Sequence, residues 1–136
     1  MKFELRVVSV ERSLFEGEVE FIIANGASGE LGVLARHAPL MTVLKPGPLR
    51  IQETIGGPEQ ILFVGGGFME VLPERVTVLA DVAEHADEIS VERAEEARRR
   101  AQERLAGTLT TAEEVEFQNA LAVAEARLRL ARMRRS

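Results

Sequence analysis

The sequence contains no cysteine among its 136 residues, which excludes a disulfide framework, a thiolate nucleophile and a cysteine zinc site. A reducing compartment fits that absence. No apolar run approaches the roughly 20 residues that a membrane-spanning helix requires. Residues 1–10 alternate polar and apolar side chains instead of placing a basic stretch before an apolar one, so neither a signal peptide nor an anchor is expected. Histidine occurs only at His37 and His85, far apart and with no evident third ligand, so a metal site is not expected either. Basic charge is also short: 17 Lys and Arg against 22 Asp and Glu leave a net charge of −5, without the broad basic surface of a nucleic-acid binder. Proline is missing after Pro73, and Gly107 is the one glycine after Gly67, so turn chemistry is concentrated in the first part of the chain.

What is present is globular in composition, 46% hydrophobic and 29% charged, enough for one domain or a small domain with an appendage. Up to about Val82 the pattern has period two. Phe3, Leu5 and Val7 alternate with Glu4 and Arg6, and Val19, Phe21 and Ile23 alternate with Glu18 and Glu20, which gives each run a buried face and a wet one. Further strands are expected at 31–34, 40–44, 49–54, 60–64, 68–72 and 76–82, separated by Asn25-Gly26, Ser28-Gly29, Pro46-Gly47, Gly56-Gly57-Pro58 and Pro73-Glu74-Arg75. So many short strands imply two packed antiparallel sheets. The segment from Gly29 to Gly47 is the densest in turns: three glycines and two prolines frame His37 on an exposed loop, an arrangement suited to recognition.

After Ala83 the chain becomes rich in Ala, Glu and Arg, which is helix material. Ser90 can cap a helix whose stripe is Ala94, Ala97, Ala101 and Leu105. A break at 107–110 precedes a second helix, capped either by Thr110 with Glu113 or by Thr111 with Glu114, with Phe117, Leu121, Ala124, Leu128 and Ala131 on one stripe. The fold class is therefore β plus α: an antiparallel β-sandwich over residues 1–86, then an antiparallel helical hairpin over 87–136. Alanine stripes bind weakly, so the hairpin is either permanently docked or able to detach toward a better surface.

Catalytic motifs are weak. Gly65-Gly66-Gly67 lacks a following Gly-Lys-Ser/Thr and precedes a strand, so a strand end or bulge explains it better than a phosphate loop. No serine stands in a nucleophile elbow, and the carboxylates sit mostly on wet faces. One cluster has a direction. Arg127, Arg129, Arg132, Arg134 and Arg135 contain no acid between them; they complement a helix C-terminus and also suit an acidic protein surface.

The GELG, HAPL and KPG series between Gly29 and Gly47 resembles the epsilon subunit family of F-type (rotary) ATP synthase. VGGGFMEVLPERVTVLAD from Val64 to Asp81 and DEISVERAEEARRRAQERL from Asp87 to Leu105 resemble that family's later segments, so the likeness runs through the whole chain. It implies a noncatalytic rotor subunit of the central stalk, bound to the gamma subunit and the c-subunit ring. The complex would lie on the cytoplasmic face of the bacterial inner membrane, and its C-terminal helices would restrain ATP hydrolysis by the alpha and beta subunits. Carried over by position, Glu30 and His37 are candidates for the ring-facing end, and the five C-terminal arginines for the inhibitory contact with the beta subunit. The resemblance requires no cofactor. Some bacterial members bind ATP as a regulatory ligand through a motif that here reads Ile89-Ser90-Val91-Glu92-Arg93-Ala94, with serine in the aspartate position. Glu84, Ile89, Arg93, Ala94, Arg100 and Arg127 are the matching positions, and an ATP-binding sensor is the alternative function. The family commonly has glycine where this chain has Arg36.

Overall fold

The computed structural model describes residues 1–134, with side chains through Met133. The chain divides into two compact units, Met1–His85 and Ala86–Ser136.

The first unit is built from ten strands: β1 (Phe3–Ser9), β2 (Ser13–Val19), β3 (Phe21–Gly26), β4 (Gly29–Leu34), β5 (Leu40–Leu44), β6 (Gly47–Gln52), β7 (Glu59–Val64), β8 (Gly67–Val71), β9 (Arg75–Ala80) and β10 (Ala83–His85). They pair in the order β10-β7-β6-β3-β5-β8-β9-β1-β2, with β4 on the outer side of β3. All pairs are antiparallel except β1 with β9. The link between β3 and β5 is a single pair, Gly26 with Leu44, so the path bends there into the two layers of a sandwich. Inward residues of both layers form one core, including Phe3, Leu5, Val7, Ile22, Leu49, Ile51, Leu62, Met69 and Val78. Each large side chain buried there contributes about 1.5–3 kcal/mol.

The alternation expected through Val19, Phe21 and Ile23 does not hold. Val19 ends β2, and the next buried residues are Ile22 and Ala24, while Phe21 and Ile23 are only half-buried. The phase slips by one because the chain passes from one layer to the other at Glu20. Its backbone N–H donates to the Gln52 carbonyl at 3.1 Å. Its carboxylate accepts from the Ile55 N–H at 2.9 Å and faces the N-terminal ammonium at 3.4 Å. β9 also ends at Ala80, short of Val82, because residues 81 and 82 cross the triglycine. Gly65 N–H donates to the Val82 carbonyl at 2.7 Å, and Asp81 N–H donates to the Gly66 carbonyl at 3.0 Å. Gly66 and Gly67 have φ of 105° and 133°, and a Cβ on Gly67 would overlap the Leu79 carbonyl oxygen. The triglycine is thus a strand junction, as its sequence context implied.

The second unit opens with a 3₁₀ turn, Ala86–Glu88, followed by α1 (Val91–Leu105) and α2 (Thr111–Arg134). Ser90 Oγ accepts the Arg93 N–H at 3.3 Å and caps α1. Of the two possible caps for α2, Thr110 with Glu113 is the one formed. Thr110 Oγ1 accepts the Glu113 N–H at 3.1 Å, and Glu113 Oε1 accepts the Thr110 N–H at 3.2 Å. The other Glu113 oxygen binds Arg104 Nη2 at 3.2 Å, and the Arg104 guanidinium lies 4.6 Å from the Phe117 ring centroid. These contacts tie the end of α1 to the start of α2. Ala124, Leu128 and Ala131 are buried on the expected stripe; Ala126 and Leu130 are buried as well, on another side of the helix. Among the described residues of this unit, five of the eight buried apolar ones are alanines, so its burial energy is smaller than that of the sandwich core.

Gly67→Ala should destabilise the sandwich by about 3 kcal/mol or more through overlap and left-handed strain, read as a lowered denaturation midpoint. Glu113 is held below the ordinary carboxylate value, first by the Thr110 backbone N–H, then by the Thr110 side chain, with Arg104 adding to it. A depressed folded pKa gives stability that is present above the unfolded value and lost as pH falls through the folded one. Helical content should therefore drop on acidification below the usual carboxylate range. Glu113→Gln should weaken the hairpin at neutral pH and flatten that part of the profile followed by circular dichroism.

Candidate functional site

Strands in a sandwich ordinarily turn apolar side chains inward and polar ones outward. β5, β8 and β9 break that rule. Their inward positions in β8 and β9 follow it: Met69 pairs with Val78 and Val71 with Val76, all four buried. One position along each strand, Val43 pairs with Phe68, Phe68 with Leu79, and Leu79 with Val8, so that an apolar row crosses four strands on the outer face. Met41 lies one outward step further along β5. Met41, Val43, Phe68 and Leu79 are 66%, 50%, 51% and 55% exposed, which is far too open for core residues. Met41, Phe68 and Leu79, with Glu70 and Thr77, frame a shallow depression of about 100 Å³. Contiguous apolar patches with a polar fringe are common at protein-binding surfaces, which makes this face the candidate site.

The two loop candidates are not brought together. Glu30 is exposed next to the β3–β4 turn, paired with Asn25, whereas His37 follows the far end of β4. A strand length therefore separates the two ring-facing candidates. His37 is half-buried, with Nδ1 2.7 Å from the Ala38 carbonyl, a contact that makes Nδ1 the donor. The GELG glycines have separate reasons. Gly29 has φ 127°, and Gly32 lies under the Phe21 ring, whose nearest atom would be 3.2 Å from an added Cβ. At the other side of the loop, Asn25 Nδ2 donates to the Pro46 carbonyl at 3.1 Å and crowds Gly47.

Two family models match the chain in succession: the ATP synthase delta/epsilon chain beta-sandwich domain over residues 2–86, and the delta/epsilon chain long alpha-helix domain over residues 87–132. The chain belongs to the delta/epsilon chain family of ATP synthase. A relative named ATP synthase epsilon chain from Herpetosiphon aurantiacus is 42% identical over 136 residues, covering 100% of this chain and 98% of the relative. Another of that name, from Desulforamulus reducens, is 52% identical over 101 residues, covering 74% and 75%. The fold also matches a chain in the Euglena gracilis mitochondrial ATP synthase OSCP/F1/c-ring structure, with a TM-score of 0.77, 24% identity, and coverage of 92% of this chain and 78% of that one. A chain of the Tetrahymena thermophila central stalk/c-ring structure matches at TM-score 0.69 and 15% identity, covering 100% and 98%.

In this delta/epsilon chain the nucleotide-motif positions fall in both units. Glu84 is half-buried in β10 of the first unit, opposite Phe63. Ile89 and Ala94 are buried apolar residues of the second, Arg93 is exposed, and Arg100 is bound to Glu96 at 3.2 Å. Ser90, in the motif's acidic position, uses its oxygen as the α1 cap. Of the arginine run, Arg127 is half-buried and Arg129 and Arg132 are exposed; Arg134 ends α2, its side chain and Arg135 lying outside what is described. Among the described residues no group of three metal-binding side chains comes together, and no helix is long and apolar enough to cross a membrane.

The outer row on β5, β8 and β9 was not anticipated. Its signal was adjacency: Phe68-Met69 and Val78-Leu79 are neighbouring large apolar residues within strands, and the pleat must send one of each pair outward. Ser90→Ala should cost the second unit about 1 kcal/mol by removing the α1 cap, measurable as reduced helicity and an earlier melt.

Proposed function

We propose that this chain is a noncatalytic central-stalk subunit that joins the gamma subunit to the c-subunit ring of a proton-translocating ATP synthase. The observation that carries the reading is the outer apolar row, Val43, Phe68 and Leu79 with Met41, an exposed face suited to protein binding on a domain that matches the ATP synthase delta/epsilon chain beta-sandwich. Gamma is the partner assigned to that face. Stalk and ring contexts in the Euglena and Tetrahymena structures support the assembly by analogy of fold. ATP chemistry and ion passage then belong to other subunits, and the chain sits peripherally on the cytoplasmic face of the bacterial inner membrane as part of the complex.

The C-terminal helices are the regulatory part of this proposal, restraining hydrolysis by contact of the arginine run with acidic surface on the beta subunit. Their modest apolar burial and their closure through Arg104, Glu113 and Phe117 are compatible with a change of arrangement at small energetic cost.

Phe68→Asp should leave the sandwich folded, since the side chain already faces solvent, and should weaken gamma binding by about tenfold or more, measured by calorimetry against purified gamma. Removal of residues 88–136 should leave gamma binding intact and raise ATP hydrolysis of a reconstituted alpha, beta and gamma assembly. Unchanged gamma affinity in the Phe68 variant would move the partner off this face, and unchanged hydrolysis after truncation would remove the regulatory role.

A further inference from the structure

Arg36 is the one non-glycine residue with a left-handed backbone among the described residues, at φ 67°. That region disfavours any side chain with a Cβ. The conformation is imposed from outside. The Arg36 N–H donates to the Pro73 carbonyl at 2.7 Å, the His37 N–H donates to the Leu34 carbonyl at 3.3 Å, and Pro39 stiffens the exit from the loop. Nothing among the described residues uses the side chain in return. The guanidinium is exposed and makes no hydrogen bond or ion pair with any described residue.

The residue lines an open groove of about 750 Å³ at the end of the sandwich where β1 and β9 begin and β4 finishes. Lys2 and Arg75 also line it, together with Glu4, Glu18 and Glu74. In the strand register Glu4 stands beside both Arg75 and Glu18. Both signs therefore alternate around the groove. Three cations, Lys2, Arg36 and Arg75, face three carboxylates there, so a polyanion such as nucleic acid or an anionic bilayer gains no net attraction. A protein loop can instead offer a single carboxylate to the guanidinium fork and donors to the glutamates. A strained backbone that positions an otherwise idle arginine over such a groove is the kind of outlier expected at a contact site.

We infer that Arg36 is a docking residue that receives a carboxylate from a loop of an adjoining rotor subunit seated in this groove. The contact is separate from Glu30, which lies at the opposite end of β4, and from the outer apolar row. The inference rests on the proposed stalk role for its partner, though the strain at Arg36 stands without it.

The test uses the full-length chain and its Arg36→Gly and Arg36→Lys variants, each titrated against the purified gamma and c-ring rotor assembly at low and high salt. Arg36→Gly should melt about 2–5 °C higher than the parent, because glycine relieves the left-handed strain. It should nevertheless bind the rotor about tenfold more weakly and with less dependence on salt. Arg36→Lys keeps the strain and the charge but loses the fork, so its melting point should stay at the parental value and its affinity should fall between the other two. Equal rotor affinity in the parent and Arg36→Gly would overturn the inference while leaving the stalk role standing. Failure of the parent itself to bind the rotor would defeat the stalk role, a different result. A lower melting point for Arg36→Gly would remove the strain on which the inference depends. Loss of binding to phosphatidylglycerol vesicles in Arg36→Gly, with rotor affinity unchanged, would reassign the residue to lipid and overturn the inference.

Discussion

The sandwich depends on a close approach at Gly67. There the backbone enters β8 at φ 133° with no room for a Cβ beside the Leu79 carbonyl, and Gly67 pairs with both Leu44 and Ala80. One residue thus fixes the registers of β5 against β8 and of β8 against β9. Because side chains alternate strictly along a strand, those two registers decide which residues face the core and which face out. Met69 and Val78 go inward; Phe68 and Leu79 line up outward, next to Val43. A slip of one residue would bury the outer apolar row and expose the core. The triglycine carries no chemistry of its own, yet that row exists only through the geometry it permits.

That face also accounts for an apparent excess of apolar surface. A free-standing domain gains nothing from half-exposed Met41, Phe68 and Leu79, which invite self-association. A subunit that spends its life against another protein gains a binding surface from them. Beside that row, Glu70, Thr77 and Arg6 stand in register and supply its polar fringe.

Much of this arrangement was legible in the sequence because it is written in local rules. Alternation placed β1, the loss of proline and glycine marked the change to helices, and a Thr–Glu capping pair, at 110/113 or at 111/114, marked the start of α2, the structure forming the first of the two. What escaped depends on the assembled fold. Glu20 reads as one more polar position in an alternating run, and only the layered sheet reveals that the chain changes layers there and that the carboxylate is held by Ile55 and the N-terminus. Ala126 and Leu130 likewise fall outside the stripe that periodicity selects. For the sites, the family resemblance named Glu30 and His37 together, as positions seven residues apart in one loop-rich segment. A strand of six residues between turns sends them to different ends, a consequence of extended geometry that spacing alone does not convey.

The left-handed residues separate into two kinds, and the difference bears on how this chain was shaped. Gly67 is left-handed where a side chain cannot physically fit, and Gly29 where there is space but the turn demands the angle. Both give the backbone what it needs at no steric cost. Arg36 takes the same region of conformational space with a Cβ and a long cationic side chain, so the fold tolerates a cost there that glycine would avoid. The loop is held by the Arg36 N–H to Pro73 whichever residue occupies the position, so the backbone does not require arginine. The reason for arginine must then lie in its guanidinium, and that group finds no partner among the described residues of its own chain. On the proposed reading, a cost with no return among the described residues is offset by a contact made only when the chain is assembled.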